Sequence, residues 1–330
     1  MNVLVDRHQA DLFYAMQLLF EDELGADVYT PLGYEWFDQG YWNFGREHLG
    51  RTLADQYLAI DAKYTLVGDH YQTIDPAHLD RPIRCVTFEQ FRAMDWSHIV
   101  ATVQDNQAGF ARLAAQVGAK YVLQVGNTRQ EVDWSLDPLA IMSSEVPALG
   151  RAVKMHQPMA ADFRYRDPAE AEPVISSFVN LMPRLVDWPL WLGYQSYLPE
   201  WPTRVYGIDG LDGNLHPVAA IADAMARSAF GLHLKPTGDG FGHVLHNWAA
   251  IGRPLIGKKV YYAGQLGEHL WQDLVTCIDL DQRSPQENAD LIRLIWADQD
   301  RYRSMCQAMR REFEKIDYRA EAAALVAFLS

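Results

Sequence analysis

The stretch GDGFGH, from Gly238 to His243, places three glycines, a carboxylate and an imidazole directly in front of a helix-like run. Glycine permits positive φ and a close approach of backbone to a ligand, and the first N–H groups of a helix suit a phosphate. Asp239 is a poor neighbour for a bare phosphate, so we expect it to face another group, such as sugar hydroxyls. Asn247, on the helix that follows, offers both a donor and an acceptor. The stretch predicts either a phosphate-binding turn or an ordinary tight turn between strand and helix.

The spacing of these glycines differs from two common nucleotide-binding motifs. It does not follow G-x-G-x-x-G with an acidic residue about twenty positions later, and it is not G-x-x-x-x-G-K-[ST]. A dinucleotide-dependent dehydrogenase and a P-loop nucleotidase are therefore disfavoured.

A second group of polar residues follows the strand-like runs of the first half. Asp6, Arg7 and His8 come directly after NVLV, and His8 or Asp6 is of a type that can orient or deprotonate a hydroxyl group. The alternatives are a helix cap at Asp6 and a histidine satisfied within the core. Other candidates at strand ends are Gln104, Asp105 and Asn127. The aromatic segment Gly33–Gly45 either stacks a ligand ring or packs into the core.

The elements that must position these residues alternate between strand and helix. NVLVD, GADVYTP, IRCVTF, HIVATV and KYVLQVGN are strand-like, and HQADLFYAMQLLFEDEL and NQAGFARLAAQVGA have helical spacing. After residues 142–173, which lack periodicity and predict a crossing between domains, a second β/α series begins. We predict two doubly wound α/β halves with parallel sheets covered on both faces. Ligands of such sheets bind at the carboxyl ends of the strands.

Composition limits the function classes. The chain has 330 residues and a net charge of −14, which excludes nucleic-acid binding through overall charge. Apolar residues make up 49% of the chain, which excludes wholesale disorder. Cys85, Cys277 and Cys306 are widely spaced, which indicates a reducing compartment without disulfides. The sequence shows no signal peptide and no apolar run long enough for a membrane span, so we expect a cytoplasmic protein. The DLD at Asp279–Asp281 predicts a solvated loop rather than a metal site.

The run from Asp239 to Ile256 resembles a motif of the GT-B glycosyltransferases. Their large retaining group carries E-G-F-G-x-x-x-x-E followed by A-x-A-x-G-x-P-V-I, and this chain has D-G-F-G-H-V-L-H-N followed by WAAIGRPLI. The segments VISSFVNLMPRLVDW and MRREFEKIDYRAEAAALVAFL resemble the family's first strand and phosphate loop of the second domain and its closing helices. The resemblance implies two Rossmann-like domains facing across a cleft: 1–165 for the acceptor, 166–312 for the donor, and 313–330 returning to the first domain.

The resemblance also implies ligands and roles. It implies a UDP- or GDP-sugar as co-substrate, retaining chemistry and no metal requirement. Asp239, in place of the family's first glutamate, would approach the donor sugar, and Asn247, in place of the second, would bind the ribose without a charge. The other donor-binding residues expected from it are Arg184, Lys235, Gly240, Phe241, Gly242 and His243.

The first half is similar, at its beginning, to phage-encoded glycosyltransferases. That similarity implies a 5-hydroxymethylpyrimidine, above all 5-hydroxymethylcytosine, in phage DNA as the acceptor, with Arg7, Gln104, Asp105 and Asn127 contacting it in the host cytoplasm. The acidic net charge argues against duplex binding, and the lack of a basic amphipathic anchor argues against a lipid-linked acceptor. The alternatives are a small-molecule or polysaccharide acceptor, a nucleotide-sugar epimerase, and a non-catalytic binding protein. The residues leave the sugar, the nucleotide base and the oligomeric state open.

Overall fold

The computed structural model describes residues 1–8, 10–44, 51–75, 78–126, 132–144, 151–236 and 242–330. The chain forms two compact units, each with its own sheet. Unit 1 comprises Met1–Gln157 and Tyr318–Ser330, and unit 2 comprises Pro158–Asp317.

Unit 1 is built on a mixed sheet. Its strands are β1 (Asn2–Val5), β2 (Asp27–Pro31), β3 (Thr65–Val67), β4 (His70–Asp75), β5 (His78–Val86), β6 (His98–Ala101), β7 (Lys120–Val125), β8 (Leu139–Met142) and β9 (Ala152–Lys154). They lie in the order β3-β4-β5-β2-β1-β6-β7-β8-β9. The accompanying helices are α1 (Ala10–Gln17), extended by a π-helical turn, α2 (Glu35–Asp38), α3 (Arg51–Leu58), α4 (Phe88–Arg92) and α5 (Gln107–Val117).

Both faces of the unit 1 sheet are buried, as the alternation of its strands predicts. Val3 and Val5 of β1 join the core cluster that contains Phe13 of α1. Leu4, between them, joins the opposite cluster, which contains Phe110 of α5. Because successive side chains of a strand point to opposite faces, helices must cover both sides of the sheet. The expectation of an α/β fold with parallel strands covered on both faces is confirmed for β1, β2, β6 and β7.

Two parts of unit 1 differ from the predicted pattern. Strands β3 and β4 form an antiparallel hairpin, because the turn at Gly68, with φ +60°, reverses the chain without a crossover helix. Residues 142–173, predicted as a plain crossing, include β9, which pairs with β8 in parallel at the sheet edge. A strand of three residues is too short to show periodicity, so β9 could not be predicted from its residues.

Unit 2 is built on a parallel sheet. Its strands are β10 (Glu172–Ser177), β11 (Thr203–Val205), β12 (Ser228–His233), β13 (Leu255–Gly257) and β14 (Cys277–Asp279), in the order β11-β10-β12-β13-β14. The helices are α6 (Trp188–Gln195), α7 (Val218–Arg227), α8 (His243–Ile251), α9 (Pro285–Ala297) and α10 (Gln299–Phe313). The helix predicted in HVLHNWAAIG is confirmed, and Gly252, with φ +81°, ends it as a left-handed cap.

The last helix, α11 (Tyr318–Leu329), belongs to unit 1 although unit 2 precedes it in the chain. Leu325 and Leu329 complete the core cluster on the α1 side of the sheet. Glu321 accepts hydrogen bonds from the main-chain N–H and the ring Nδ1 of His156, at 2.7 and 2.8 Å. Lys154 Nζ of β9 adds an ion pair to Glu321 at 3.0 Å. Apolar and polar contacts together dock α11 beside the sheet edge.

Candidate functional site

In unit 1, several of the predicted site residues lie at the topological switch point of the sheet, where the strand order reverses. The chain leaves β1 toward β2 on one side, whereas β6 pairs with β1 on the other, with Val5 opposite Val100. Ligand sites of open α/β sheets form at such a point, outside the carboxyl ends of the strands. Residues 6–8, after β1, and residues 102–106, after β6, therefore share one edge of the sheet.

Asp6 is fully buried, and protein groups occupy both of its carboxylate oxygens. Oδ1 accepts from the main-chain N–H of Thr102 at 2.8 Å and from the Thr102 hydroxyl. Oδ2 accepts from Nδ2 of Asn106 at 2.8 Å. The carboxylate thus joins the end of β1 to the turn after β6.

The environment of Asp6 shifts its proton equilibrium strongly. Burial disfavours the charged carboxylate and raises the pKa of Asp6 to about 7, although the hydrogen bonds from Thr102 and Asn106 act in the opposite direction. Near neutral pH the group therefore exists in both protonation states.

His8 is half-buried, and its Nδ1 has no hydrogen-bond partner among the described residues. The ring of Phe44 meets the imidazole edge-on, with the ring centroids 3.9 Å apart. Burial lowers the pKa of His8 to about 4, so the imidazole is neutral at pH 7. A neutral imidazole with an unengaged nitrogen can accept a hydrogen bond or a proton from a hydroxyl group.

The predicted acceptor-binding residues occupy different environments. Arg7 is turned into the protein, where it pairs with Asp75 at 3.0 Å and lies over the ring of Tyr57. Gln104 is exposed and Asp105 half-buried, and both lie in the 3-10 turn after β6. Asn127, after β7, lies outside the described residues.

The aromatic segment at 33–44 mostly packs into the core. Trp36 and Trp42 are fully buried, and Phe37 and Tyr41 are nearly so. Phe44 is the aromatic side chain of this segment that contacts a predicted site residue, His8. The packing alternative is therefore confirmed for these four core residues.

In unit 2, the corresponding edge lies at the carboxyl ends of β10 and β12, which are neighbours. Helix α8 begins after β12, and Gly242 caps its start with φ +68°. This left-handed conformation favours glycine and directs the chain into the helix. Asp239, Gly240 and Phe241 lie outside the described residues, and His243 is the first residue of α8.

Asn247 lies one helical turn beyond His243, on the same face of α8. Its side chain is 9% exposed, and its Oδ1 has no hydrogen-bond partner among the described residues. A buried carbonyl oxygen without a partner costs free energy unless a ligand or water supplies the donor. Asn247 thus offers a buried acceptor on the face of α8 that carries His243.

The predicted cations follow the strand ends. Arg184, in the 3-10 turn after β10, is 71% exposed and pairs with Asp209 at 2.7 Å. Lys235 is half-buried, two residues after β12. Sequence reasoning missed Lys258, which directly follows β13, between the carboxylates of Asp187 and Asp281 at 3.8 and 3.6 Å. Its position directly after an apolar run, Leu255–Gly257, was the sequence signal that could have identified it.

The prediction of a solvated loop at the DLD segment is wrong for Asp279 and Leu280, which are buried, whereas Asp281 is exposed. Asp279 is only 3% exposed and accepts from Nε2 of Gln282 at 3.0 Å and from the N–H of Lys259 at 3.3 Å. It fixes the turn after β14 because buried carboxylate oxygens need donors. Within the described ranges, no group of three or more His, Cys, Asp or Glu side chains is placed to hold a metal ion.

No helix in the part of the chain that the structure describes has the length and apolar character needed to cross a membrane.

Comparisons with known proteins give no relative by sequence. No family model matches the chain, and no curated protein matches it.

Solved structures match across nearly the whole chain. HepE from Anabaena in complex with UDP superimposes with a TM-score of 0.64 and 12% identity over 99% of each chain. Its complex with UDP-glucose gives 0.63 and 12% over 100% of this chain and 99% of HepE. Sucrose-phosphate synthase from Thermosynechococcus elongatus gives 0.64 and 11% over 99% and 98%. The pneumococcal O-GlcNAc transferase GtfA, in complex with UDP and GlcNAc, gives 0.60 and 10% over 100% and 98%. The chain therefore has the two-domain α/β fold of the GT-B glycosyltransferases.

Proposed function

We propose that the protein is a retaining, metal-independent glycosyltransferase that moves a sugar from a UDP- or GDP-sugar to a hydroxyl acceptor. The observation that carries the proposal is the start of α8, where a left-handed glycine and a helix N-terminus follow β12. There the buried Oδ1 of Asn247 has no hydrogen-bond partner within the described ranges of the chain. Support also comes from structures of the same fold that contain UDP or UDP-glucose.

On the donor side, the ligand groups find complementary partners in unit 2. A ribose hydroxyl donates to Oδ1 of Asn247, and the first N–H groups of α8 with Gly242 and His243 face the diphosphate. Lys235 and Arg184 contribute positive charge, and Arg184 is exposed enough to leave Asp209 for a phosphate. Gly240 and Phe241 are assigned to donor binding and Asp239 to the donor sugar; these three assignments rest on the resemblance to the family.

Cleavage of the sugar–phosphate bond leaves negative charge on the departing diphosphate. Preorganised N–H groups and cations lower the barrier where that charge develops. The helix N-terminus and the two cations supply this stabilisation in the proposed site, so the reaction needs no metal ion.

On the acceptor side, His8 orients the attacking hydroxyl. At neutral pH its imidazole is uncharged, so Nδ1 accepts a hydrogen bond from the hydroxyl. Asp6, whose oxygens are already engaged, acts by holding the turn after β6. Gln104 and Asp105, on that turn, contact the acceptor, as does Asn127 after the neighbouring strand, whereas Arg7 stays paired with Asp75.

The charge of unit 1 favours an uncharged acceptor, such as a small molecule or a polysaccharide, over DNA. Unit 1 contains 22 Asp and Glu against 13 Lys and Arg, a net charge of −9. Arg7, Arg81, Arg84 and Lys63 each pair with a carboxylate of the same unit. A duplex needs unpaired cations for its phosphates. Hydroxymethylated DNA remains the second candidate acceptor, to be compared directly.

The test is transfer itself. The protein is incubated with UDP- and GDP-sugars, together with neutral glycosides or an oligonucleotide containing 5-hydroxymethylcytosine, and products are weighed by mass spectrometry. We expect a sugar to be added to a neutral acceptor, with the anomeric configuration retained in the product NMR spectrum. Folded protein that neither binds UDP in calorimetry nor transfers any sugar would contradict the proposal, and conversion of the donor without an acceptor would indicate an epimerase.

Asn247→Ala provides the matching variant. It removes an acceptor for the ribose, so the KM for the nucleotide sugar rises roughly five- to tenfold, as expected for one hydrogen bond of about 1–1.5 kcal/mol. Gln286→Ala, an exposed amide on α9, is the control and leaves the KM unchanged.

A further inference from the structure

Asn106 is a fully buried amide that engages both of its functional ends. Its Nδ2 donates to Oδ2 of Asp6 at 2.8 Å. Its Oδ1 accepts from the main-chain N–H groups of Asn43 and Phe44, at 2.7 and 3.0 Å. One side chain therefore connects the end of β1 to the segment at 43–44, which lies more than sixty residues earlier in the chain than Asn106.

Phe44 carries this connection to His8. Its main-chain N–H is one of the two held by Asn106, and its ring packs edge-on against the imidazole with centroids 3.9 Å apart. The position of His8 is thus set by two neighbours: Asp6, two residues earlier in the chain, and the ring of Phe44. Both neighbours are hydrogen-bonded to the side-chain amide of Asn106.

Helix α5, which begins directly after Asn106, clamps the preceding part of the same segment. A Cβ on Gly109 would lie 2.5 Å from the carbonyl oxygen of Tyr41, so helix and segment are in backbone contact. Arg112 Nη2 donates to the carbonyl of Gly40 at 3.0 Å, and Gln116 Nε2 donates to the Tyr41 hydroxyl at 3.2 Å. These contacts fix residues 40–41, and Nδ2 of Asn43 donates to the carbonyl of Gly40 at 2.9 Å. Among the described contacts, the main-chain N–H groups of residues 43 and 44 both donate to Asn106.

We propose that Asn106 is a positioning residue for His8, acting by fastening the Phe44 segment to the Asp6 carboxylate. The proposal rests on the proposed function insofar as His8 orients the acceptor hydroxyl. Asn106 itself is buried and touches no substrate. Neither the amino group nor the carbonyl oxygen of the amide can be replaced without loss. Asn106→Asp would place a second carboxylate against Asp6, and Asn106→Leu would leave the two N–H groups without an acceptor.

The first readout is the protonation of His8, followed by NMR of the ring nitrogens during a pH titration of the full chain without substrate. Asn106→Ala frees Phe44, and Phe44→Leu replaces the aromatic cover while leaving the Asn106 network in place. We expect the pKa of His8, about 4 in the wild type, to rise toward 6.5 in both variants because the imidazole becomes better solvated. Leu113→Ala, which removes a core side chain of α5 outside this network, is the control and leaves the His8 pKa unchanged.

The second readout separates binding from turnover. We expect Asn106→Ala to lower kcat by about 10- to 100-fold, as small displacements of reacting groups do, with the KM for the nucleotide sugar unchanged. A His8 pKa that stays near 4 in Asn106→Ala, or a kcat that stays at the wild-type value, overturns the proposal. If Asn106→Ala does not fold, Phe44→Leu gives the same decision. If the pKa rises in the variants and no form of the protein transfers sugar, the positioning stands and the proposed function fails.

Discussion

Arg253 is a fully buried cation held by main-chain carbonyl groups. Its Nε and Nη2 donate to the carbonyl of Ala226, at 3.0 and 2.7 Å, and the other donors reach Arg166 and Asp167 at 3.0 and 2.8 Å. Ala226 lies in the last turn of α7, where carbonyl groups lack helical partners and form the negative end of the helix dipole. One planar guanidinium thus joins α7 to the segment before β10.

Replacing Arg253 tests this geometry. Arg253→Lys keeps the charge, but a single Nζ cannot serve three carbonyl groups on two segments, so buried acceptors lose their donors. We expect the free energy of unfolding to fall by about 2–4 kcal/mol, measured by urea denaturation. Arg311→Lys, at an exposed position of α10, is the control. A loss below about 1 kcal/mol would show that these carbonyl groups do not require the planar, multi-donor guanidinium of arginine.

His8 and Asp6 have pKa values shifted in opposite directions, which gives each a distinct pH window. The pKa of His8 is about 4 in the folded protein against 6.5 ordinarily, so its contribution to stability is present above pH 6.5 and lost as the pH falls toward 4. The pKa of Asp6 is raised from 3.8 to about 7, so its contribution is present below pH 3.8 and lost as the pH rises toward 7. A variant at one residue isolates its own window.

His8→Gln removes the loss of stability on the acidic side. We expect the unfolding free energy of the variant, relative to the wild type, to increase by roughly 3 kcal/mol between pH 7 and pH 4. Urea denaturation at four or five pH values measures it. Gln286→Ala, which replaces an exposed amide of unit 2 that does not titrate, should leave the difference flat across the same range. A flat difference for His8→Gln would mean that the folded protein does not depress its pKa.

Among the elements, α8 depends on a close approach to β12. A Cβ on Gly231 would lie 2.5 Å from two ring atoms of Trp248, which is fully buried on α8. The helix that carries His243 and Asn247 can therefore lie against the sheet only because Gly231 has no side chain. Packing between these two elements sets the position of the proposed donor site.

Gly231→Ala is expected to displace α8. Overpacking of this kind costs about 1–3 kcal/mol, and the shift of Asn247 should weaken UDP binding, both measurable by thermal denaturation with and without UDP. Gly193→Ala on α6 is the matched control, because a Cβ there meets nothing within 4 Å. We expect that control to raise stability by about 0.5–1 kcal/mol, since alanine favours the helix over glycine. Equal stability of both variants would contradict the packing argument.

The same elements show what the sequence could predict. The bounds of α8 follow from local signals, because its apolar spacing and the glycine at each end lie within a dozen residues. The Asp6–Asn106 network had no such signal, since its members are 100 residues apart and meet only through the order of β1 and β6. Asn247 was predictable through a motif, whereas the burial of its side chain depends on packing around α8.

For the whole molecule, the main fact is that each unit has a core of its own. Clusters on both faces of the first sheet contain residues of unit 1, and those of the second contain residues of unit 2. Their net charges also differ, at −9 and −5, the latter from 21 acidic against 16 basic residues. A ligand of one unit should therefore stabilise that unit above all.

UDP is expected to protect unit 2 selectively. At a concentration of 100 times its Kd, a ligand adds about 2.7 kcal/mol to the stability of the state that binds it. In hydrogen exchange, protection should increase in β12 and β13 and stay unchanged in β1 and β6. Magnesium-free buffer keeps the experiment independent of metal. Equal gains in both sheets would mean that the units do not respond separately.

The docking of α11 has a consequence for how the protein is made. Unit 2 is one uninterrupted piece of 160 residues, Pro158–Asp317, whereas unit 1 lacks the helix with Leu325 and Leu329 until the ribosome has passed through all of it. At synthesis rates of 5–20 residues per second, that interval lasts about 8–30 s. During it, the α1-side core cluster of the first sheet lacks the two leucines of α11, while the second unit already has its complete sequence. We therefore expect the nascent chain to need chaperone protection most during this interval, before α11 has been synthesised.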